Sequence, residues 1–349
     1  MRAPLFIGLV LICLATLIAG CERKPAAPDA GEVVLYSSVD DILLREVIDA
    51  FVDETGVRVR IVGDNEANKT TGLMQRLIAE RDRAGADVWW SSEPFGTIRL
   101  GAEGLLEPYV SATGEASIEG GWPAQFKGDD WYGFALRARV IAYAPDRVSA
   151  PPVSLLELVD PAWKGRVGMA RPAFGTTRGH MGVLVDAWGE DGLAAWLEAM
   201  KANGLRLYDG NASVVRAIRL GEIDAGLTDS DDVWAAQRNG WAIEAAHEAK
   251  GSGEGQLRST GPVLFPNTVA IVRGGPNPDN ARRLVDFLLS ERVEAMMAAS
   301  DSHNIPVHPT LRERFADLLV PDAAAVEFER VTGLVDEAMI ICDEVLGGP

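Results

Sequence analysis

Three carboxylates, Asp229, Asp231 and Asp232, follow the short apolar segment Ile223–Leu227, and with Asp224 they make four acids in nine residues. So dense a cluster repels itself unless water, a cation or a basic group offsets it. All-oxygen sets of this kind suit hard cations such as ferric iron, manganese, calcium or magnesium. An organic ammonium is a second fit, and a solvated acidic loop is the plain alternative on an acidic chain.

Further candidates stand after other apolar runs. Ser37, Ser38 and Asp40 follow Val33–Tyr36, and Ser92 and Glu93 follow Ala86–Trp90. Asp40, Glu93, Asp231 and Asp232 form a metal-ligating set only if two separate parts of the chain close on one another. Gly175, Thr176 and Thr177 open a helix and would offer backbone N–H groups to an anion, though an ordinary helix cap reads the same way. Arg137 and Arg139 share one face of a strand, and Asn211 opens another helix. Trp89, Trp90, Trp131 and Trp234 border the same strand ends, where a ring beside carboxylates suits a polyamine; Trp89 and Trp90 cannot both face one side of a strand. The four histidines match no zinc spacing, and no nucleophile elbow, zincin helix or phosphate loop is present.

The elements that must position these residues follow from periodicity. Val33–Tyr36, Val57–Val62 and Ala86–Trp90 read as strands, separated by helices from Ile42 to Thr55 and over 70–81. Strand, helix, strand, helix, strand without hairpins predicts a parallel, doubly wound sheet, with chemistry at its carboxyl edge. A strand through Trp131–Tyr143 reads as a first crossing between lobes and Pro266–Val272 as a second. Between them strands at 165–170, 205–208 and 223–227 alternate with helices from 175 past Leu184, at 194–201 and at 214–220. Gly251–Gly255 reads as a flexible loop. Asp279–Leu289 is a helix returning to the first lobe, and the remainder is mostly helical.

At 349 residues the chain has room for two domains, and 47% hydrophobic with 24% charged residues is a globular composition. Its formal net charge of -18 argues against nucleic acid and anionic membranes as partners. Met1–Gly20 carries Arg2 and then an apolar run to Ile18, which predicts a secretory signal. Ile18-Ala19-Gly20-Cys21 has the form of a bacterial lipobox, so Cys21 is the expected lipidation site and mature N-terminus. Pro25 and Pro28 make the following stretch a tether. Cys13 lies inside the apolar run and Cys21 at its end, so no disulfide framework is expected and Cys342 reads as a small buried residue.

Five blocks in order resemble the periplasmic iron(III)-binding proteins of ABC importers, within the extracellular solute-binding proteins. They are Val34–Ser38 with Thr55-Gly56-Val57; Ala86–Trp90; Arg137–Val140 with Trp163–Gly168; Asn211–Val214 with Gly221–Ala225; and Pro266–Ala270. The resemblance implies the class II periplasmic-binding-protein fold: two α/β lobes, each with a doubly wound sheet, joined by two crossing strands around a ligand cleft. It implies a signal peptide at 1–20, a linker at 21–32, lobe I from 33–138 plus 268–302, and lobe II from 139–267 plus 303–349. The family's iron-bound tyrosine pair falls on Asp231 and Asp232, its first-lobe histidine on Asp40 and its glutamate on Ser92, with Glu93 one residue beyond. Its synergistic-anion region aligns with Gly175, Thr176, Thr177 and Asn211.

The expectation is therefore a monomeric, non-enzymatic lipoprotein at a bacterial cell envelope, in the periplasm or on the surface. It would bind Fe(3+) or another hard cation on Asp40, Glu93, Asp231 and Asp232. Ser37, Ser38, Ser92, Arg137, Arg139, Thr176, Thr177, Asn211 and Asp229 would hold an accompanying anion or other ligand. Lobe closure would commit the cargo to an ABC permease with its ATPase. A polyamine on the same scaffold, with Trp90 or Trp234 stacking, is the alternative, and an exported enzyme the third.

Overall fold

The computed structural model describes residues 30–63, 69–173, 175–254 and 257–347. The expected signal peptide, Cys21 and most of the tether lie outside these residues. No helix among the described residues is long and apolar enough to cross a membrane.

In chain order the first lobe contributes β1 (Glu32–Ser37), α1 (Asp41–Thr55), β2 (Arg58–Val62), α2 (Lys69–Ala79), β3 (Val88–Ser91), α3 (Pro94–Ala102), β4 (Leu106–Glu107) and α4 (Ala112–Ser117). The long strand β5 (Tyr132–Tyr143) leads to β6 (Val167–Ala170), α5 (Gly175–Ala202), β7 (Arg206–Tyr208), α6 (Asn211–Leu220), β8 (Ala225–Asp229), α7 (Ser230–Arg238) and β9 (Glu244–Ala246). A small hairpin, β10 (Gly253–Glu254) with β11 (Leu257–Arg258), stands where the sequence predicts only a loop. Then come β12 (Leu264–Val272), α8 (Pro278–Leu288), α9 (Glu291–Ala299), α10 (Phe328–Thr332) and α11 (Val335–Leu346).

The two parallel units, β2-β1-β3 and β8-β6-β7, do not stand apart. They are joined through β12 and β5 into one hydrogen-bonded order, β2-β1-β3-β12-β5-β8-β6-β7. The first part of β5 pairs with β12 and its last five residues, Arg139–Tyr143, pair with β8. Arg137 and Arg139 thus sit where one strand passes from lobe to lobe.

Alternation along β1 decides its packing. Val33 and Leu35 join a core with α1, α8 and α9, while Val34 and Tyr36 join another with α2 and α3. Trp89 and Trp90 divide the same way and both are 0% exposed. Trp90 therefore has no face for a ligand, which corrects the expected stacking role.

The helix expected from 175 and the one at 194–201 are one element, α5, broken at Gly189, whose φ of 74° no L-residue adopts cheaply. α9 packs on α1 of the first lobe, whereas α11 packs along α5 of the second, so the C-terminal region serves both lobes. A buried carboxylate ties the crossing to this region. Glu294 accepts hydrogen bonds from the N–H groups of Ala135 (2.8 Å), Val307 (3.0 Å) and His308 (2.7 Å). Ala135 itself has φ of 47°, a strained non-glycine geometry at the point where the β5–β12 register shifts.

α5 also meets the first lobe. A Cβ placed on Gly179 would lie 1.9 Å from the ring of Phe95 in α3. Gly179→Ala should therefore destabilise the protein by about 1–3 kcal/mol through overpacking. Chemical denaturation measures this, and Phe95→Leu in the same chain should recover part of the loss.

Candidate functional site

The strand ends converge on a cavity of ≈ 420 Å³ between the lobes. Ser38 and Asp40 reach it from the end of β1 and Ser92 from the end of β3. Asp229, Asp231 and Asp232 reach it from the end of β8, and Arg137 from the crossing strand. Ligands collect at this edge because the helices that follow the strands point their N-termini at it.

The expected site residues fall into three groups. Asp229 and Arg139 are buried partners, 2.7 Å apart, with side chains 3% and 4% exposed. The second oxygen of Asp229 accepts from Thr176 Oγ1 (2.5 Å) and Asn211 Nδ2 (2.9 Å), and Thr177 Oγ1 donates to Asn211 Oδ1 (3.2 Å). These contacts lock the starts of α5 and α6 to the end of β8. A buried pair held this way is framework, because removing one partner strands a charge in low dielectric; of its polar atoms the Arg139 Nε has no partner among the described residues. Arg139 does not line the cavity, contrary to its expected role on an anion.

A second group is spent in the first lobe. Glu93 is 4% exposed and caps α3, accepting from Phe95 N (2.7 Å) and Gly96 N (3.1 Å). Burial raises its pKa, and the two N–H groups oppose that rise. It does not line the cavity, so the expectation of a fourth metal ligand is corrected: one residue beyond the strand end, the chain turns its carboxylate into the helix it starts. Ser37 accepts from Val39 N (3.2 Å) and also lies off the cavity, while Ser38 Oγ accepts from Ser92 N (3.0 Å) and holds the β1 and β3 ends together.

The third group faces the cleft. Carboxylate oxygens of Asp229, Asp231 and Asp232 lie within 4.8 Å of one another. Arg137 donates to Asp231 Oδ2 (3.2 Å) from one nitrogen and to the Ser92 carbonyl (2.5 Å) from another, bridging the lobes. Burial disfavours its charge, but Asp231, Asp229, Asp40 and Asp232 more than compensate and raise its pKa. Among the described residues the Asp232 carboxylate accepts the Thr228 hydroxyl (2.8 Å). Burial lifts Asp231 to about 6; Arg137 opposes the rise, and Asp229 and Asp40 add to it. Burial, Asp231 and Asp229 drive Asp232 well above the ordinary carboxylate range, against the Thr228 hydrogen bond. Asp40, exposed in the first lobe, faces this pair across the opening.

Sequence reasoning missed Arg171, Arg216 and Asn304, all of which line the cavity. Arg216 lies on α6 beyond its start and carried no motif. Asn304 lies in the loop read only for its histidines. Trp234 meets His303 at a tilt of 58°, ring centroids 5.0 Å apart, and does not line the cavity. Cys342 is buried, as expected, and burial holds its thiol up at about 12.

Two α/β lobes joined by crossing strands around a polar cleft define a two-lobed binding protein. The sequence pattern of the family described as bacterial extracellular solute-binding protein matches residues 46–324, and the chain belongs to that family. The major ferric iron-binding protein of Neisseria meningitidis is 28% identical over 90% of this chain and 94% of its own length. Iron uptake protein A1 of Synechocystis is 28% identical over 83% of this chain and 81% of its own. Among solved structures, the apo ferric ion-binding protein A of Pasteurella haemolytica superposes with a TM-score of 0.79 at 25% identity, covering 91% of this chain and 98% of that one.

A carboxyl whose pKa rises on folding stabilises the fold fully only below its unfolded value near 3.8, and that contribution is lost as pH rises through the folded pKa. Asp232 therefore costs stability at neutral pH. Asp232→Asn, which keeps an acceptor for Thr228, should raise the melting temperature of the ligand-free protein at pH 7.5. The gain should shrink toward pH 4, as differential scanning calorimetry across pH would record.

Proposed function

We propose that this chain is the substrate-binding component of an ABC importer at a bacterial cell envelope, and that its cargo presents a positive centre to Asp231 and Asp232. The observation that carries the reading is two adjacent, half-buried carboxylates at the cleft, of which one guanidinium, Arg137, meets only Asp231. Their raised pKa values are the signature of a site awaiting a cation. Closure of lobe I (33–138 plus 268–302) on lobe II (139–267 plus 303–349) would bring Asp40 onto the cargo, and the closed form would be what the permease and its ATPase recognise. The leader would place the protein on a membrane through lipid on Cys21. The family's solute-binding role supports a carrier over an enzyme.

A hard metal such as ferric iron, with an anion at the starts of α5 and α6, is the cargo that the names of the relatives suggest. The close approach of three carboxylates favours it. An organic cation is favoured by a different observation: Arg137 already stands on Asp231, and Glu93 and Asp229 are spent elsewhere, so few oxygens remain for a metal.

Thermal unfolding tests the reading against ferric iron with and without phosphate or carbonate, other metals, and organic amines. A ligand at 100 times its dissociation constant adds about 2.7 kcal/mol. Asp231→Ala/Asp232→Ala should fold and lose the upshift seen with the wild-type chain. An undiminished upshift in that variant removes this acid pair from the site.

A further inference from the structure

We infer that Asn304 is a positioning residue of the cleft: when a positive centre takes Asp231 and Asp232, the Arg137 guanidinium gives up Asp231 and donates its Nε–H to Asn304 Oδ1. The inference rests on the cationic-cargo reading above, and adds the means by which a site already holding one cation admits a second.

Arg137 and Asn304 face each other on neighbouring segments. Leu136 and Ile305 form an antiparallel bridge and exchange both backbone hydrogen bonds, each 2.7 Å. The next pair along that bridge sets Arg137 opposite Asn304, so their side chains share one face, and the Cβ spacing of such a pair is about 4.5–5.5 Å. That face is the cavity, which both residues line. One residue further along β5, the Ala138 N–H donates to Ser230 Oγ (3.1 Å), at the start of α7 and next to Asp231. The Asn304 segment and the start of α7 are thus consecutive neighbours on one edge of β5, with Arg137 between them.

Each of the two side chains carries a buried polar atom with nothing to bond. Among the described residues Arg137 Nε has no acceptor and Asn304 Oδ1, on a residue 3% exposed, has no donor. A donor and an acceptor left over on facing residues, both out of water, cost free energy that their pairing recovers. What keeps them apart is the hold on the rest of the guanidinium. Nη1 donates to Asp231 (3.2 Å) and Nη2 to the Ser92 carbonyl (2.5 Å), and a planar fork fixed at two nitrogens cannot re-aim the third.

The Asn304 side chain does nothing for its own loop. The backbone there is fixed by the Ile305 bridge, by the Asn304 N–H on the Met297 carbonyl (3.3 Å) and by the His303 N–H on the Ser300 carbonyl (3.1 Å), while Asp301 pairs with Arg238 of α7. His303 is held at φ of 46°, a geometry that persists only where the surroundings impose it. A rigid loop therefore presents an idle amide to the guanidinium. Its neutrality matters: a carboxylate at this position would draw Arg137 away from Asp231 in the empty protein, whereas an amide receives it only once Asp231 is taken. Without that acceptor, an arriving cation would strand a buried guanidinium.

Removing the acid pair reads the hand-over without any cargo. In thermal unfolding of the ligand-free wild-type protein, Asn304→Leu should leave the melting midpoint unchanged or raise it, because it deletes an acceptor that nothing uses. In the Asp231→Ala/Asp232→Ala protein the same substitution should lower the midpoint by about 2–4 °C, and Asn304→Asp should raise it. Adding Arg137→Leu to that background should abolish the Asn304→Leu loss, which a loop-anchoring role would leave in place. No loss in the acid-free background, an equal loss in the wild-type protein, or a loss that survives Arg137→Leu overturns the hand-over and leaves the cationic-cargo reading standing. That reading fails separately, through ligand upshifts undiminished in Asp231→Ala/Asp232→Ala.

Discussion

Like-charge repulsion between Asp231 and Asp232, in a place where water cannot fully screen it, is the constraint around which the cleft is arranged. Both residues lie in the first turn of α7, where the helix dipole favours negative charge. That placement makes the pair tolerable without making it neutral. Arg137 compensates one carboxylate, and the unmet charge of the other costs the ligand-free fold stability.

A second pair, Arg139 with Asp229, each two residues along the chain from Arg137 and Asp231, behaves differently for a geometric reason. Arg139 and Asp229 face each other across the β5–β8 ladder and are sealed beneath the starts of α5 and α6. With Thr176, Thr177 and Asn211 hydrogen-bonded around it, that pair is mechanically useful: it fixes two helix starts relative to one strand end, with only the Arg139 Nε lacking a partner among the described residues. Arg137, nearer the crossing, reaches the opening instead. Identical side chains on one strand face therefore divide into framework and site by depth alone.

The crossing strand makes this possible. β5 takes a left-handed turn at Ala135, whose N–H donates to the Glu294 carboxylate, and Glu294 also accepts from the N–H groups of Val307 and His308, so one carboxylate ties the strand to that segment. A carboxylate with three N–H partners is a rigid knot in an otherwise apolar core, and it sits on the strand that runs from one parallel unit to the other. Arg137 lies two residues beyond it, so the group that bridges Ser92 and Asp231 is carried on the joint itself.

Much of the architecture was legible in the chain because periodicity reports burial directly. The continuous apolar run Val33–Tyr36 and the apolar run ending in Trp89 and Trp90 read as strands, and two crossing strands were read at Trp131–Tyr143 and Pro266–Val272. The acid cluster was equally legible, since adjacent carboxylates after a strand end need no partner from afar to be noticed. What the chain could not disclose was which polar groups were already taken. Glu93 and Asp40 look alike in sequence, yet one turns inward to cap α3 and the other stays at the opening. Asp229 and Asp231 differ by two positions, yet one is buried against Arg139 and the other meets Arg137. Arg216 and Asn304 entered the cavity without any local signal. Residue types and their order set the chemistry on offer, a carboxylate-rich edge on a two-lobed α/β fold. Only the tertiary structure decided which of those charges remain uncompensated, because compensation depends on contacts between residues far apart in the chain.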